Sequence, residues 1–241
     1  MGIRASLRRW HMWLGWLVII PMLLWTVSGF VMVARPMAEV RGTALLRAPM
    51  SMALRGPAVA PVLAGLPIAK LTLDPRAAGP RWVIRLAGEP ERSRLADPAT
   101  GRLLAKFGAA DAQREVMSRY TGAARVAAVT RIDPANPPID LKRSLEAWQV
   151  RMDDGTHFYV DAGSGEVVAR RTRWWRVYDF MWGLHIMDLQ GRMQTNNPWV
   201  VTFSLLALVM TLMALVLLPL ATRKGSRINP PAASTTPRPR D

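Results

Sequence analysis

Two unbroken apolar runs bracket this chain, and a long alternating region lies between them. Leu14 to Val33 (LGWLVIIPMLLWTVSGFVMV) runs 20 residues without a charge. At about 1.5 Å per helical residue it covers roughly 30 Å, the thickness of a bilayer's hydrocarbon core. Trp199 to Ala221 is a second run, 23 residues long. These runs predict transmembrane helices over 14–34 and 199–221. The first exceeds the roughly 7–15 apolar residues of a signal-peptide core, which favours a retained anchor over a cleaved leader. Pro21 removes a backbone donor and predicts a kink in the first helix. Asn196, Asn197 and Pro198 supply a start signal for the second.

Between the runs, apolar and polar residues alternate as they do in half-buried strands. The pattern occurs twice. One copy reads KLTLDP (70–75), RWVIRLAG (81–88) and SRLADPATGRLLA (93–105). The other reads AAVTRIDP (127–134), AWQVRMDDG (147–155) and HFYVDAGSGEVVA (157–169). Each copy has a strand ending in Asp-Pro, at Asp74 and Asp133. Each has a Trp with an Arg three residues on, at Trp82 and Trp148. Each closes on Asp-x-x-[Thr/Ser]-Gly, at Asp97–Gly101 and Asp161–Gly165. These last units read as turns, with Asp bonding its own backbone and Gly supplying a positive φ. Trp82 and Trp148 read as core residues. Residues 109–120 predict a helix, and 50–66 a shorter one broken near Gly56 and Pro57. An α+β membrane protein follows, with two transmembrane helices flanking two helix-plus-antiparallel-sheet repeats at 36–106 and 107–172.

The stretch 174–190 (WWRVYDFMWGLHIMDLQ) holds too many charges for a span. On a helical wheel Arg176, Asp179 and Gly183 share one face. Trp174, Tyr178, Met181 and His185 share the other. It predicts an amphipathic helix lying at the membrane interface.

Charge sets the orientation. The net charge is +15, nearly all from Arg. Arg4, Arg8 and Arg9 make 1–13 a basic N-terminus, and Arg223, Lys224 and Arg227 follow the second run. Short basic flanks stay in the cytoplasm, so both termini are expected there and the middle in the periplasm of a bacterial inner membrane. The Pro-, Ser- and Thr-rich segment 222–241 reads as a disordered tail. No nucleic-acid-binding motif accompanies the basic balance. The absence of Cys excludes disulfides, Cys-ligated clusters, covalent c-type haem and thiol catalysis. No nucleophile elbow, phosphate loop or zinc motif is present. The ligand search therefore reduces to His11, His157 and His185. His157 follows an Asp-Gly hairpin signal at Asp154-Gly155, and that hairpin is the simpler reading than a metal site shared with Asp161.

The Trp strand followed by Asp-x-x-[Thr/Ser]-Gly resembles the PepSY repeat. Arg8-Arg9-Trp10-His11-x-Trp13-Leu14-Gly15 at the head of a span, with Leu184-His185-x-x-Asp188 before the last one, resembles the PepSY-associated transmembrane family. The resemblance covers most of residues 6–222. It implies an inner-membrane protein with a periplasmic PepSY region and a link to iron uptake, since some members are haem-containing reductases of ferric siderophores. Others are thought to bind or inhibit peptidases. Many members are longer, with four spans.

With that resemblance, His11 and His185 become expected ligands of b-type haem, with Gly15 one turn from His11 making room for a flat macrocycle. Neutral imidazole binds haem iron. His11, Gly15, Val18, Met22 and Gly29 form a narrow stripe that invites close approach of a helix or flat ligand. His11 falls at the cytoplasmic end of its span and His185 on the periplasmic side, so one iron cannot take both. A two-fold dimer would pair each His with its mate; otherwise a Met or another protein supplies the second ligand. The expected function is haem-dependent electron transfer in iron or siderophore uptake. The rival is a non-enzymatic module that binds a periplasmic peptide, peptidase or envelope protein, its spans serving only as anchors.

Overall fold

The computed structural model describes residues 2–50, 52–54, 56–63, 65–88 and 92–222. The predicted tail over 222–241 therefore lies outside the described residues from 223 on. The protein is α+β, with two helices long and apolar enough to cross a membrane and two small antiparallel sheets.

Helix α1 is Ile3–Val33, 31 residues that include Pro21. It starts well before the apolar run, because the basic N-terminus joins the same helix. Helix α5 is Pro198–Thr222. Large apolar side chains point outward along both, among them Leu17, Leu23 and Phe30 on α1 and Leu205, Leu212 and Leu215 on α5. A continuous apolar surface of that extent is compatible with lipid contact. Asn197 caps α5 as its sequence predicts: its Oδ1 accepts from Trp199 N and Val200 N, both at 3.1 Å. Its amide donates to the carbonyls of Ile186 and Gln194, which closes the preceding loop.

After α1 come a short helix α2 (Met37–Val40) and a 3-10 turn at Thr43–Leu45. The first sheet has strands β1 (Ile68–Asp74), β2 (Arg81–Leu86) and β3 (Arg92–Ala96) in that order. Helix α3 (Ala109–Arg119) leads into the second sheet, β4 (Val126–Ile132), β5 (Ala147–Met152), β6 (His157–Asp161) and β7 (Val167–Arg171). Helix α4 (Arg173–His185) then runs back along α1 before α5 begins.

The duplication seen in the sequence is present in the register. Leu73 pairs with Trp82, and Arg131 with Trp148. Both pairings carry a register shift two positions from the start of the first strand, between Ile68 and Lys70 and between Val126 and Ala128. The two closing turns match as well. Gly101 N donates to Asp97 O and Gly165 N to Asp161 O, each at 2.8 Å. Gly101 has φ +69° and Gly165 +67°, the left-handed values that the turns require. The Asp-Pro marks match less closely: Asp74 is the last residue of β1, whereas Asp133 falls one residue past β4.

The two copies differ in what covers them. In the second, α3 packs on β4, β5 and β6 around Val116, Val150, Met152, Phe158 and Val160. In the first, the helix expected within 50–66 does not form among the described residues. An extended strap lies there, with Val59 N donating to Pro98 O and Val62 N to Gly101 O. Both tryptophans anchor the covering segment through their indole N–H. Trp82 donates to Val59 O at 2.8 Å and Trp148 to Phe107 O at 2.6 Å. The physical reason is length. Val59 precedes β1 by 68 − 59 = 9 residues, and Phe107 precedes β4 by 126 − 107 = 19. A helix of 11 residues, the size of α3, fits the second connection and not the first.

Helix α4 corrects a prediction about faces. Arg176, Asp179 and Gly183 were expected on the wet side of an interfacial helix. Asp179 and Gly183 are instead its buried residues. Asp179 is only 4% exposed and lies between two cations. It accepts from Arg192 at 2.9 Å and pairs with Lys142. These cations come from the loop before β5 and the loop before α5, so the polar face of α4 meets protein rather than water. Lys142 and Arg192 both adopt positive φ, at 56° and 54°, a strained backbone for a residue with a side chain. The opposite face of α4 meets α1: Arg35 stacks over Trp174 at 5.1 Å and His185 over Trp25 at 4.5 Å.

Removing one member of a buried ion cluster leaves uncompensated charge, which costs about 3–5 kcal/mol. Asp179→Ala is therefore expected to lower the thermal midpoint of the detergent-solubilised protein sharply. An unchanged midpoint would show that the cluster carries no structural weight.

Candidate functional site

His185 is the last residue of α4, and its ring is held on three sides by α1. It stacks on the Trp25 indole at an interplanar angle of 21°. Its Nδ1 lies 3.2 Å from Trp25 O and 3.0 Å from Ser28 Oγ. A carbonyl oxygen can only accept, so Nδ1 carries the proton and donates to both. Ser28 is fully buried, and its hydroxyl donates to Trp25 O at 2.9 Å. Gly29 permits the approach: a Cβ there would lie 3.4 Å from His185 Cε1. The other ring nitrogen, Nε2, has no hydrogen-bond partner among the described residues. An imidazole pinned through Nδ1–H to backbone and hydroxyl oxygens keeps Nε2 as the nitrogen not taken up by the described residues, which is how a ligating His is oriented by its surroundings.

His11 is placed differently. Its Nδ1 is buried and has no hydrogen-bond partner. Gly15, one turn on, has nothing within 4 Å of where a Cβ would be. Of the predicted stripe, Gly29 is therefore the glycine used within this chain, and Gly15 faces open space. Trp25 and Ser28 follow His11 by 14 and 17 residues, so the two imidazoles are separated by roughly 21–26 Å along α1 at 1.5 Å per residue. The structure does not bring them together.

Asp188, three residues beyond His185, organises the loop to α5. Its carboxylate accepts from the backbone N–H of Gly191, Met193 and Gln194, all at 3.0 Å. Those bonds, with Gln194 foremost and then Met193, hold its pKa down to about 2. The His-x-x-Asp spacing thus joins a potential ligand to the residue that shapes the loop beside it.

His157 belongs to a polar network in the second sheet. Its Nδ1 lies 3.2 Å from Asp140 Oδ2, and the Tyr159 hydroxyl donates to Asp140 Oδ1 at 2.6 Å. Gln149 donates to the Tyr159 hydroxyl at 2.6 Å, and Arg171 Nε to Asp140 O. This network fastens the loop containing Leu141 and Leu145 over Ala147, Tyr159 and Ala169. Asp161 is at the other end of β6 and is taken up by Gly163 N, Ser164 N and Ser164 Oγ. His157 and Asp161 therefore share no metal site, and among the described residues no group of three or more His, Asp and Glu is placed to hold an ion. Burial pushes the Tyr159 hydroxyl above its ordinary value, with Asp140 adding to the effect. Burial would also raise the Asp140 carboxyl, but the bonds from His157 and Tyr159 outweigh it and hold it below its usual value.

Sequence patterns pointed to His185 and Gly29 but not to Trp25, Ser28, Asp140 or Asp179 as their neighbours' partners. The available signal for Ser28 was a hydroxyl inside an apolar run beside a glycine, a combination that marks helix contacts in membranes. No protein-family model, no curated protein and no solved structure matches the chain.

A carboxylate whose folded pKa is depressed stabilises the protein above its unfolded value of about 3.9, and that stability is lost as pH falls through the folded value. Asp140→Asn is accordingly expected to melt below the wild type at pH 7, with the gap narrowing as acid protonates the wild-type carboxyl. Melting curves from pH 7 to 2.5 check this; a constant gap would exclude Asp140 from the acid transition.

Proposed function

We propose that this chain is an inner-membrane PepSY-type protein that binds b-type haem and passes electrons across the bilayer in iron or siderophore uptake. The observation that carries the reading is His185: an imidazole with its Nδ1–H fixed by Trp25 O and Ser28 Oγ and its Nε2 without a partner among the described residues. His11 is the second candidate ligand; its Nδ1 is covered by protein, so iron would have to meet Nε2. Haem iron bound at such nitrogens would supply one-electron chemistry. The residues do the rest. Trp25 and Ser28 keep the His185 ring in one tautomer, and the apolar faces of α1 and α4 exclude water. The separation along α1 favours separate haems for the two histidines, with His11 at the head of the span and His185 beside Trp25 and Ser28 within it. One chain then offers one His per iron, and a two-fold dimer or an outside ligand completes each site. Basic flanks at both ends support cytoplasmic termini and a periplasmic middle. The duplicated sheets support the PepSY resemblance.

A second reading, a membrane-anchored module for a periplasmic peptide or protein, is favoured by one observation. The first sheet bears a strap where the second bears a helix, and Val59, Val62 and Leu71 are left 45%, 72% and 36% exposed.

Membranes containing the protein expressed with ample haem should show a dithionite-reducible b-type spectrum. His185→Ala and His11→Ala should each remove about half of the signal, and Ser28→Ala should shift the reduced bands without abolishing them. A colourless protein would sink the redox reading and leave the binding module.

The orientation is open to a clean test because the chain has no Cys. Thr100→Cys should react with a membrane-impermeant maleimide added to intact spheroplasts. Labelling only after lysis would overturn the topology.

A further inference from the structure

A cavity of about 470 Å³ opens where α1 gives way to the folded middle. Its wall includes Ala38, Glu39, Leu45, Asp154, Arg173 and Trp174. The volume is that of a ligand pocket rather than a packing defect. Ala38 and Glu39 follow the end of α1 at Val33 by a few residues, and Trp174 lies under Arg35. The cavity is thus within reach of the membrane surface that α1 leaves, and it is lined by neither His11 nor His185.

Two of its charges, on Arg173 and Asp154, are exposed to water rather than spent within the chain. Glu39 is neutralised by Arg35 at 3.2 Å. The Arg173 guanidinium has no hydrogen bond or ion pair among the described residues, although its stem packs close to Gly155. The Asp154 carboxylate accepts only from Thr156 N, at 2.8 Å, and forms no ion pair. One cationic and one anionic residue therefore line the same largely apolar space without pairing. An isolated anionic ligand would satisfy Arg173 and be repelled by Asp154; a cation would do the reverse. A ligand carrying both signs satisfies both through charge-assisted hydrogen bonds, and an apolar body attached to it would cover Leu45, Ala38 and Trp174.

We propose that this cavity holds the headgroup region of a zwitterionic bilayer lipid, with phosphate on Arg173 and ammonium on Asp154, the acyl tails remaining in the membrane beside α1. The site rests on the membrane-spanning reading of α1 and not on haem.

The test uses the full chain in detergent and dihexanoylphosphatidylethanolamine as probe, with binding read by calorimetry. Saturable binding is expected, at least tenfold tighter than for dihexanoylphosphatidylglycerol, which has the phosphate and no ammonium. Arg173→Ala should weaken it at least tenfold. Asp154→Asn should abolish the preference between the two lipids. Ala44→Phe, which fills the cavity without touching either charge, should block binding while the thermal midpoint stays near that of the wild type. Equal affinity for the two lipids overturns the zwitterion assignment. Equal affinity for phosphoethanolamine alone overturns the lipid, because the apolar wall would then contribute nothing. Binding undiminished in Arg173→Ala overturns the site. The haem spectrum is unaffected by any of these outcomes, so the two readings fail separately.

Discussion

The joint between the apolar helices and the folded middle depends on one buried carboxylate. Asp179 is enclosed by Lys142 and Arg192, which arrive from loops far apart in the chain. A buried carboxylate without partners would be expensive, so the helix that carries it can dock only where both cations are in place. That condition fixes the rotation of α4 about its axis. With the charged side turned inward, the aromatic side must face α1, and His185 is delivered onto Trp25 and Ser28. The strained backbone at Lys142 and Arg192 is sustained by the same contact. Ion pairing in the middle of the molecule thus decides the orientation of an imidazole at the end of α4 that meets α1.

The duplicated sheets show what a repeat keeps when its surroundings change. Register, bulge position and closing turn are common to both copies. So is the indole N–H that reaches a backbone carbonyl. The cover is not common, being a helix over one sheet and a strap over the other. The sheets are joined through specific contacts. Arg85 pairs with Glu166 at 2.8 Å, Arg76 Nε donates to Ser164 O at 2.9 Å, and Glu115 accepts from Ala77 N at 2.7 Å. The closing turn and the helix of the second copy therefore hold the first copy in place, which leaves the strap face of the first sheet the more open of the two.

His11 and His185 began as equivalent candidates and end as different objects. His185 has its orientation determined inside the chain. His11 has a buried nitrogen without a partner beside a glycine that nothing touches. That nitrogen is closed off by the chain itself, so a cofactor, a second copy or another helix would meet His11 through the rest of its ring. Glycine at position 15 is consistent with any of the three, because each requires a flat surface there.

The sequence by itself determined the two apolar helices, the strands and the paired turns. These follow from local periodicity, from Asp and Gly at fixed turn positions, and from runs long enough to span lipid. Asn197 as a cap and Gly101 and Gly165 at positive φ were legible for the same reason: their chemistry is spent within a few residues. The tertiary structure decided everything that needed two distant segments to meet. The wheel of α4 separated its faces correctly, but only Lys142 from a remote loop and Arg192 from the following one could turn the polar face inward. The segment 50–66 has a composition that tolerates a helix, yet the short connection to β1 and the carbonyls of Pro98 and Gly101 hold its residues 59–62 as a strap. Periodicity reports which residues share a face. What that face meets depends on chain lengths and on charges contributed from elsewhere, and those are set only when the whole chain has closed.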